Sequence, residues 1–302
     1  MTSQDNARRS PTAAAALAPV LRRQVADLRF RENDVRTHRP QGVHDFRVAC
    51  RRLRAGLSGL EPLLDGRTCR VLADDLRRTA RAVGPAWDAH VIRKQLDGTF
   101  LDIEHGGASR LHAQLVLLLE RSESEGWQRA VEHLDHPAYD DLTRRLDRFA
   151  DLPPWLTVAD RPAEEVLRPL LGNEWSRFRR RAKAALEDSD DATVDERLHE
   201  ARKASKRARY VAESTIGVLG RRAKRLAKAA EAVQEALGEH QDRIVTRAFL
   251  ADVQPRLTLG GEDGQTMVLV REAQDTALAT GWSDVRRVLK DADRKSLRAW
   301  MR

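Results

Sequence analysis

Apolar residues recur at helical spacing along most of the chain, and no long stretch alternates in the manner of a half-buried strand. The pattern predicts an all-α protein. A first helix is expected from about Leu17 to Arg36, carrying Val20, Val25, Leu28 and Val35 and punctuated by Pro40 and Gly42. Further helices are expected over Val43–Leu64, Arg70–Val83 and Trp87–Leu101, with Gly84-Pro85 separating the last two. HGGAS at 105–109 breaks the pattern, and Leu111–Glu120, Glu125–Leu134 and Tyr139–Phe149 follow. DLPPW at 151–155 reads as a linker, because paired prolines cannot continue a helix. Beyond it the spacing predicts Ala163–Glu187, Val194–Leu219, Arg222–Leu237, His240–Val253, Gln265–Ala279 and Trp282–Met301.

Two stretches of this pattern match each other. VHDFRVACRRLR (43–54) and LHEARKASKRAR (198–209) each place a histidine ahead of a ladder of basic residues. At an offset of 155, His44 meets His199, Arg47 meets Arg202, Arg51 meets Lys206, Arg52 meets Arg207 and Arg54 meets Arg209. Downstream, VGPAWD (83–88) meets LGEHQD (237–242) at an offset of 154, pairing Gly84 with Gly238 and Asp88 with Asp242. Two matched patches at nearly one offset point to a tandem duplication of a helical unit of roughly 150 residues. The expected organisation is a disordered tail over 1–15 and one domain over 16–302, made of repeats 16–152 and 160–302 joined by a linker at 153–159.

At ~100° per residue, Arg47, Arg51 and Arg54 fall within about 80° of His44, while Phe46, Cys50, Leu53, Leu57 and Leu60 gather on the other side. The second copy behaves alike: His199, Arg202, Lys206 and Arg209 share a stripe, with Ala201, Ala204, Ala208 and Ala212 on the packing side. Thr193-x-x-Glu196 supplies a capping-box pattern at its start. Like charges one turn apart repel. A solvated helix face accounts for one such run, but not for two in register, each led by histidine and rich in Arg. Arg presents a planar fork that matches phosphate oxygens, and a ladder repeating every ~5.4 Å can hold successive phosphoryl groups.

Composition narrows the partner. The chain carries 54 basic and 46 acidic side chains, a net charge of +8, so the placement of charge matters more than its excess. With 33% charged residues and a mean hydropathy of -0.58, no segment approaches the ~18 apolar residues of a membrane span. Two cysteines, Cys50 and Cys69, exclude a disulfide framework and suit a reducing cytoplasm.

These motifs resemble the paired signatures of the CHAD family, the conserved histidine α-helical domain, and VGPAWD and LGEHQD resemble that family's Leu-Gly-x-x-Arg-Asp segment. The resemblance runs from about residue 15 to 255. It implies two four-helix bundles related by pseudo-two-fold symmetry, with basic helices lining a central groove or pore that binds inorganic polyphosphate, and possible association with polyphosphate granules. Nothing here resembles the acidic strands of the triphosphate-tunnel domain that some members carry. His44, Arg47, Arg51, Arg52 and Arg54 match the first motif, and His199, Arg202, Lys206, Arg207 and Arg209 the second. The sequence departs from the family at Trp87 and Gln241, where Arg is usual, and at Ala208, where Leu is usual. Lys203 is an extra cation beside the second stripe.

Other basic residues extend the candidate surface. Arg77 with Arg81, and Lys224 with Lys228, sit at helical spacing just upstream of the two Gly–Asp segments. Arg177, Arg180, Arg181 and Lys183 form a run ahead of the second signature. A metal at His44 or His199 would need more ligands than Asp45 or Glu200, which turn ~100° away. A phosphohistidine enzyme would need an acid–base group or a magnesium site. The sequence carries no acidic cluster, P-loop or HExxH, so no enzyme activity, cofactor or metal is expected and the histidines are assigned hydrogen-bond donation. The expected function is non-enzymatic binding of polyphosphate. The alternative is a nucleic-acid-binding helical protein; a single-strand binder needs aromatic platforms that these stripes lack apart from Tyr210, and a duplex reader needs a helix presented outward to the nucleic-acid groove.

Overall fold

The computed structural model describes residues 11–39, 41–187, 191–257 and 260–301, with the side chains of 191–193 left out. Among these residues the chain is almost entirely helical. The elements are α1 (Ala13–Arg36), α2 (Gly42–Leu60), α3 (Gly66–Ala82), α4 (Gly84–Leu101), α5 (Ala108–Leu134), α6 (Pro137–Asp151), α7 (Ala163–Glu187), α8 (Asp191–Val253), α9 (Gly261–Ala292) and α10 (Lys295–Arg298). The Thr193 half of the expected capping box, Pro40 and most of the expected tail lie outside the described residues.

Several breaks differ from the sequence pattern. α5 runs unbroken through the polar stretch at 121–124, and α9 through Gly281. Gly238 does not interrupt α8, so the expected helices over 222–237 and 240–253 are one. The break before them is real. Gly220 sits at φ 59, ψ -139 and bends α8 into two arms, 191–219 and 221–253. A side chain there would be strained, which is why glycine holds the corner. At the other end, Ala13 to Ala15 belong to α1 and not to a tail: Thr12 caps the helix by accepting from the Ala15 N–H at 3.1 Å, and Ala13 is buried.

The segment between α6 and α7 is fastened at both sides. Asp65 N–H donates to Pro154 O (2.9 Å), Leu156 N–H to Leu63 O (2.9 Å) and Ala163 N–H to Pro11 O (2.8 Å). One apolar cluster runs through both halves of the chain, from Leu17, Phe46 and Leu53 to Trp175, Phe178, Ala208 and Val211. A smaller one joins Ile92, Leu96 and Leu115 to Leu250, Met267 and Val270, so the tips of α4 and α5 pack on α8 and α9. α2 lies on the first arm of α8, and Gly59 makes the approach possible. A Cβ there would fall 2.2 Å from Val211 Cγ2. This contact sets the two ladders side by side.

A shared cationic groove between α2 and α8

The core-facing side of α2 buries Phe46, Cys50, Leu53 and Leu57, which turns Arg47, Arg51 and Arg54 toward the first arm of α8. That arm buries Ala201, Ala204, Ala208 and Ala212 and turns Arg202 and Lys206 toward α2. Arg51 and Arg202 are half-buried, and burial first, then the charge of Arg47, holds both guanidinium pKa values down, with Arg202 adding to the effect on Arg51. Their Nε atoms have no hydrogen-bond acceptor among the described residues. The Tyr210 hydroxyl lies near Arg51 and opposes part of the fall in its pKa. Lys206 sits among Arg202, Arg51, Arg54 and Arg47, and burial together with those charges pushes its amine down to about 6. An ammonium in this position lacks counter-charge, and bound anions would supply it.

Two aspartates enter the groove, each by the expected Gly–Asp segment. Arg47 Nη1 donates to Gly84 O at 2.9 Å and to Asp88 Oδ1 at 2.7 Å. On the other side, Arg202 lies against Gly238, where a Cβ would be 3.7 Å from its Nη2, and faces Asp242. Burial, and then Asp88, push the Asp242 carboxyl up, against the pull of Arg202. Asp88 thus fixes Arg47 by a direct hydrogen bond, whereas Asp242 acts on Arg202 through its charge.

The histidines differ. The His44 ring packs on Trp87 at 4.2 Å between centroids, and Trp87 stacks on His90 at 4.8 Å. Trp87, which replaces the family's usual Arg, therefore walls the groove behind His44. His44 Nδ1 has no hydrogen-bond partner. His199 is exposed. Both imidazoles are held below their ordinary pKa, chiefly by burial and then by neighbouring cations, Arg51 for His44 and Lys203 for His199.

Not every sequence candidate reaches this groove as a free cation. Arg52 pairs with Glu213 at 3.3 Å and lies over the Tyr210 ring. Arg207 pairs at 2.6 Å with Glu174, a buried carboxylate of α7. Arg209 donates to Glu213 (2.7 Å), Glu231 (2.6 Å) and Gln234 (3.3 Å). Lys203 pairs with Glu200 at 2.6 Å and faces α7. Arg77 and Arg81 are exposed and stand beside Arg54, whose pKa falls through burial and their charge. Lys224 and Lys228 are exposed, and nothing in the structure ties them to the groove. Asp88 and Asp242 were legible as a motif, but their arginine partners were not.

This is an all-helical fold whose two longest basic stripes share one half-buried, cation-rich groove. The sequence matches the CHAD domain over residues 19–251, and the chain belongs to that family. Solved structures agree on the fold. PptA from Streptomyces chartreusis superposes with a TM-score of 0.76 at 18% identity, covering 93% of this chain and all of that one. The CHAD domain from the plant Ricinus communis gives 0.69 at 22% identity, covering 93% of both chains. Two uncharacterised Mycobacterium tuberculosis proteins, MT2285 (strain CDC 1551 / Oshkosh) and Rv2226 (strain ATCC 25618 / H37Rv), are 29% identical over 258 residues, 83% of this chain. The chain spans 48% of their length, about half. Among the described residues no helix is long and apolar enough to cross a membrane, and no group of three or more His, Cys, Asp or Glu side chains is placed to hold a metal ion.

Proposed function

We propose that the protein binds inorganic polyphosphate without cutting it, in the groove between α2 and the first arm of α8. The observation that carries this reading is the facing of Arg47, Arg51 and Arg54 by Arg202 and Lys206, with the Nε atoms of Arg51 and Arg202 unbonded. Five cations share this space with two aspartates, so the free groove is electrostatically unfavourable and an anion relieves it. A polyphosphate chain carries charge on every phosphate, more closely spaced than one helical turn, so a ladder of cations can hold alternate groups and Arg forks can grip their oxygens in pairs. Association with polyphosphate granules inside the cell would follow from the same affinity.

A nucleic-acid ligand would draw on the same charge. It also needs ring faces. Tyr210 is buried, and Trp87 is covered by His44 and His90. The groove thus supports a ligand without bases.

Titration with polyphosphates of graded length tests the proposal. Parent protein should bind them with an affinity that falls as salt rises. Converting Arg47, Arg51, Arg202 and Lys206 to Glu should abolish binding while circular dichroism reports unchanged helicity. Excess long-chain polyphosphate should displace any bound oligonucleotide. Failure to displace it would put nucleic acid first, and release of phosphate in the presence of magnesium would overturn the non-enzymatic reading.

A further inference from the structure

We propose that the crevice between α7 and the first arm of α8, on the flank of α8 next to the groove-facing stripe, is a second phosphate-binding cleft that takes the overhanging segment of a polyphosphate chain. The inference rests on the reading of the central groove. The cleft encloses about 560 Å³ and is lined by Arg177, Arg180 and Arg181 of α7 and by Glu200, Lys203 and Arg207 of α8, among others. Glu200 is engaged by Lys203, and Arg207 by Glu174 at the base. The three α7 arginines are exposed, and Arg181 acts on Glu200 across the cleft without a close ion pair.

On α7 itself, Arg168 pairs with Glu164 and Arg179 with Asp293. Between α1 and α2, by comparison, two basic side chains stand close to carboxylates. There Arg31 contacts Asp27 (3.5 Å), Asp34 (3.3 Å) and Asp45 (3.2 Å), and Arg52 contacts Asp27 at 3.9 Å. In the α7–α8 cleft Arg177, Arg180, Arg181, Lys203 and Arg207 gather around Glu200, with Glu174 behind Arg207, so positive charge is in excess and an added anion relieves it.

The route between the sites is short in helical terms. His199, Arg202 and Lys206 face the groove, whereas Lys203 and Arg207 face the cleft, and one turn of α8 separates His199 from Lys203. A long anion can round the helix there and engage both sides, so that cleft contacts add avidity without a second binding event.

Isothermal titration with tripolyphosphate and with chains of roughly 100 phosphates separates the two sites. In an Arg177→Glu/Arg180→Glu/Arg181→Glu variant, long-chain affinity should fall on the order of tenfold while tripolyphosphate affinity stays at the parent value. The same charge change at Arg121, Arg129 and Arg144, on α5 and α6, should leave both unaltered. Parent-like long-chain affinity in the cleft variant overturns the proposal, as does an equal loss in the control. Loss of tripolyphosphate binding in the cleft variant overturns its auxiliary role. An Arg51→Glu/Lys206→Glu variant that keeps tripolyphosphate affinity would instead remove the groove reading, whatever the cleft variant does.

Discussion

The ladders of α2 and α8 carry matching side chains in matching register, yet they end differently. On α2, Arg54 stands beside Arg77 and Arg81. On α8, Arg209 is gripped by Glu213 and Glu231. Ser58 and Arg77 occupy the first-half positions that correspond to Glu213 and Glu231. Two substitutions therefore convert an open cationic end into a closed, neutral one. The leading histidines differ in the same sense, His44 backed by an aromatic ring and His199 exposed. The contrast teaches that register alone does not make a ligand-binding residue. The same arginine either stands free on the groove or ties helices together, according to the acid placed across from it on another helix.

The contrast can be broken by substitution. Replacing Arg54, Arg77 and Arg81 with Ala should weaken polyphosphate binding about 30-fold, whereas Arg209→Ala should change it less than about twofold, both read by titration calorimetry. Equal losses at the two ends would erase the distinction. Arg207→Ala should instead cost about 2 kcal/mol of stability in denaturant unfolding, because it strands the buried Glu174, with little effect on binding of tripolyphosphate.

Affinity should also rise about fivefold from pH 8 to pH 6. Lys206 is held at about 6 in the free groove, and a bound anion raises its pKa, so binding takes up a proton across that range. His44 and His199 act in the same direction from their lowered values, with Arg51, Arg47, Arg202 and Lys203 around them and Asp45 and Glu200 opposing. Lys206→Met should flatten the profile, and His44→Ala/His199→Ala should retain most of it. The sign for folding is opposite in kind. Folded Lys206 holds fewer protons than the unfolded chain between about 6 and 10.5, so its penalty is full below pH 6 and fades as pH rises toward 10.5. Calorimetric melting should show Lys206→Met stabilising the free protein most at low pH.

The smallest effect sharpens the closed end. Glu231→Gln should release Arg209 and improve binding about threefold at low salt. Lys224→Ala/Lys228→Ala should lie within error of the parent, and a clear loss would extend the site along the second arm of α8.

Most helices were legible because one apolar stripe every 3.6 residues must find a core. The breaks were less so. Gly220 ends a helical arm because its φ is positive, whereas Gly238 and Gly281 stay helical, and a sequence records only the glycine. In the site, the 100° rule was the better guide. It places Arg47, Arg51, Arg54, Arg202 and Lys206 on one side of their histidines and sets Arg52 and Arg207 about 80° round to the other side. Motif matching had gathered them all. Arg209 satisfies both rules and is still withdrawn, since Glu231 reaches it from the other arm of α8, a partner that only the fold could supply.

Because the indole of Trp87 lies against His44 at the wall of the groove, the protein carries its own optical reporter. An imidazolium quenches a neighbouring indole more strongly than a neutral ring does. Filling the groove should therefore dim tryptophan emission with no added dye, and a Trp87→Phe protein would lose that signal while the other five tryptophans go on emitting.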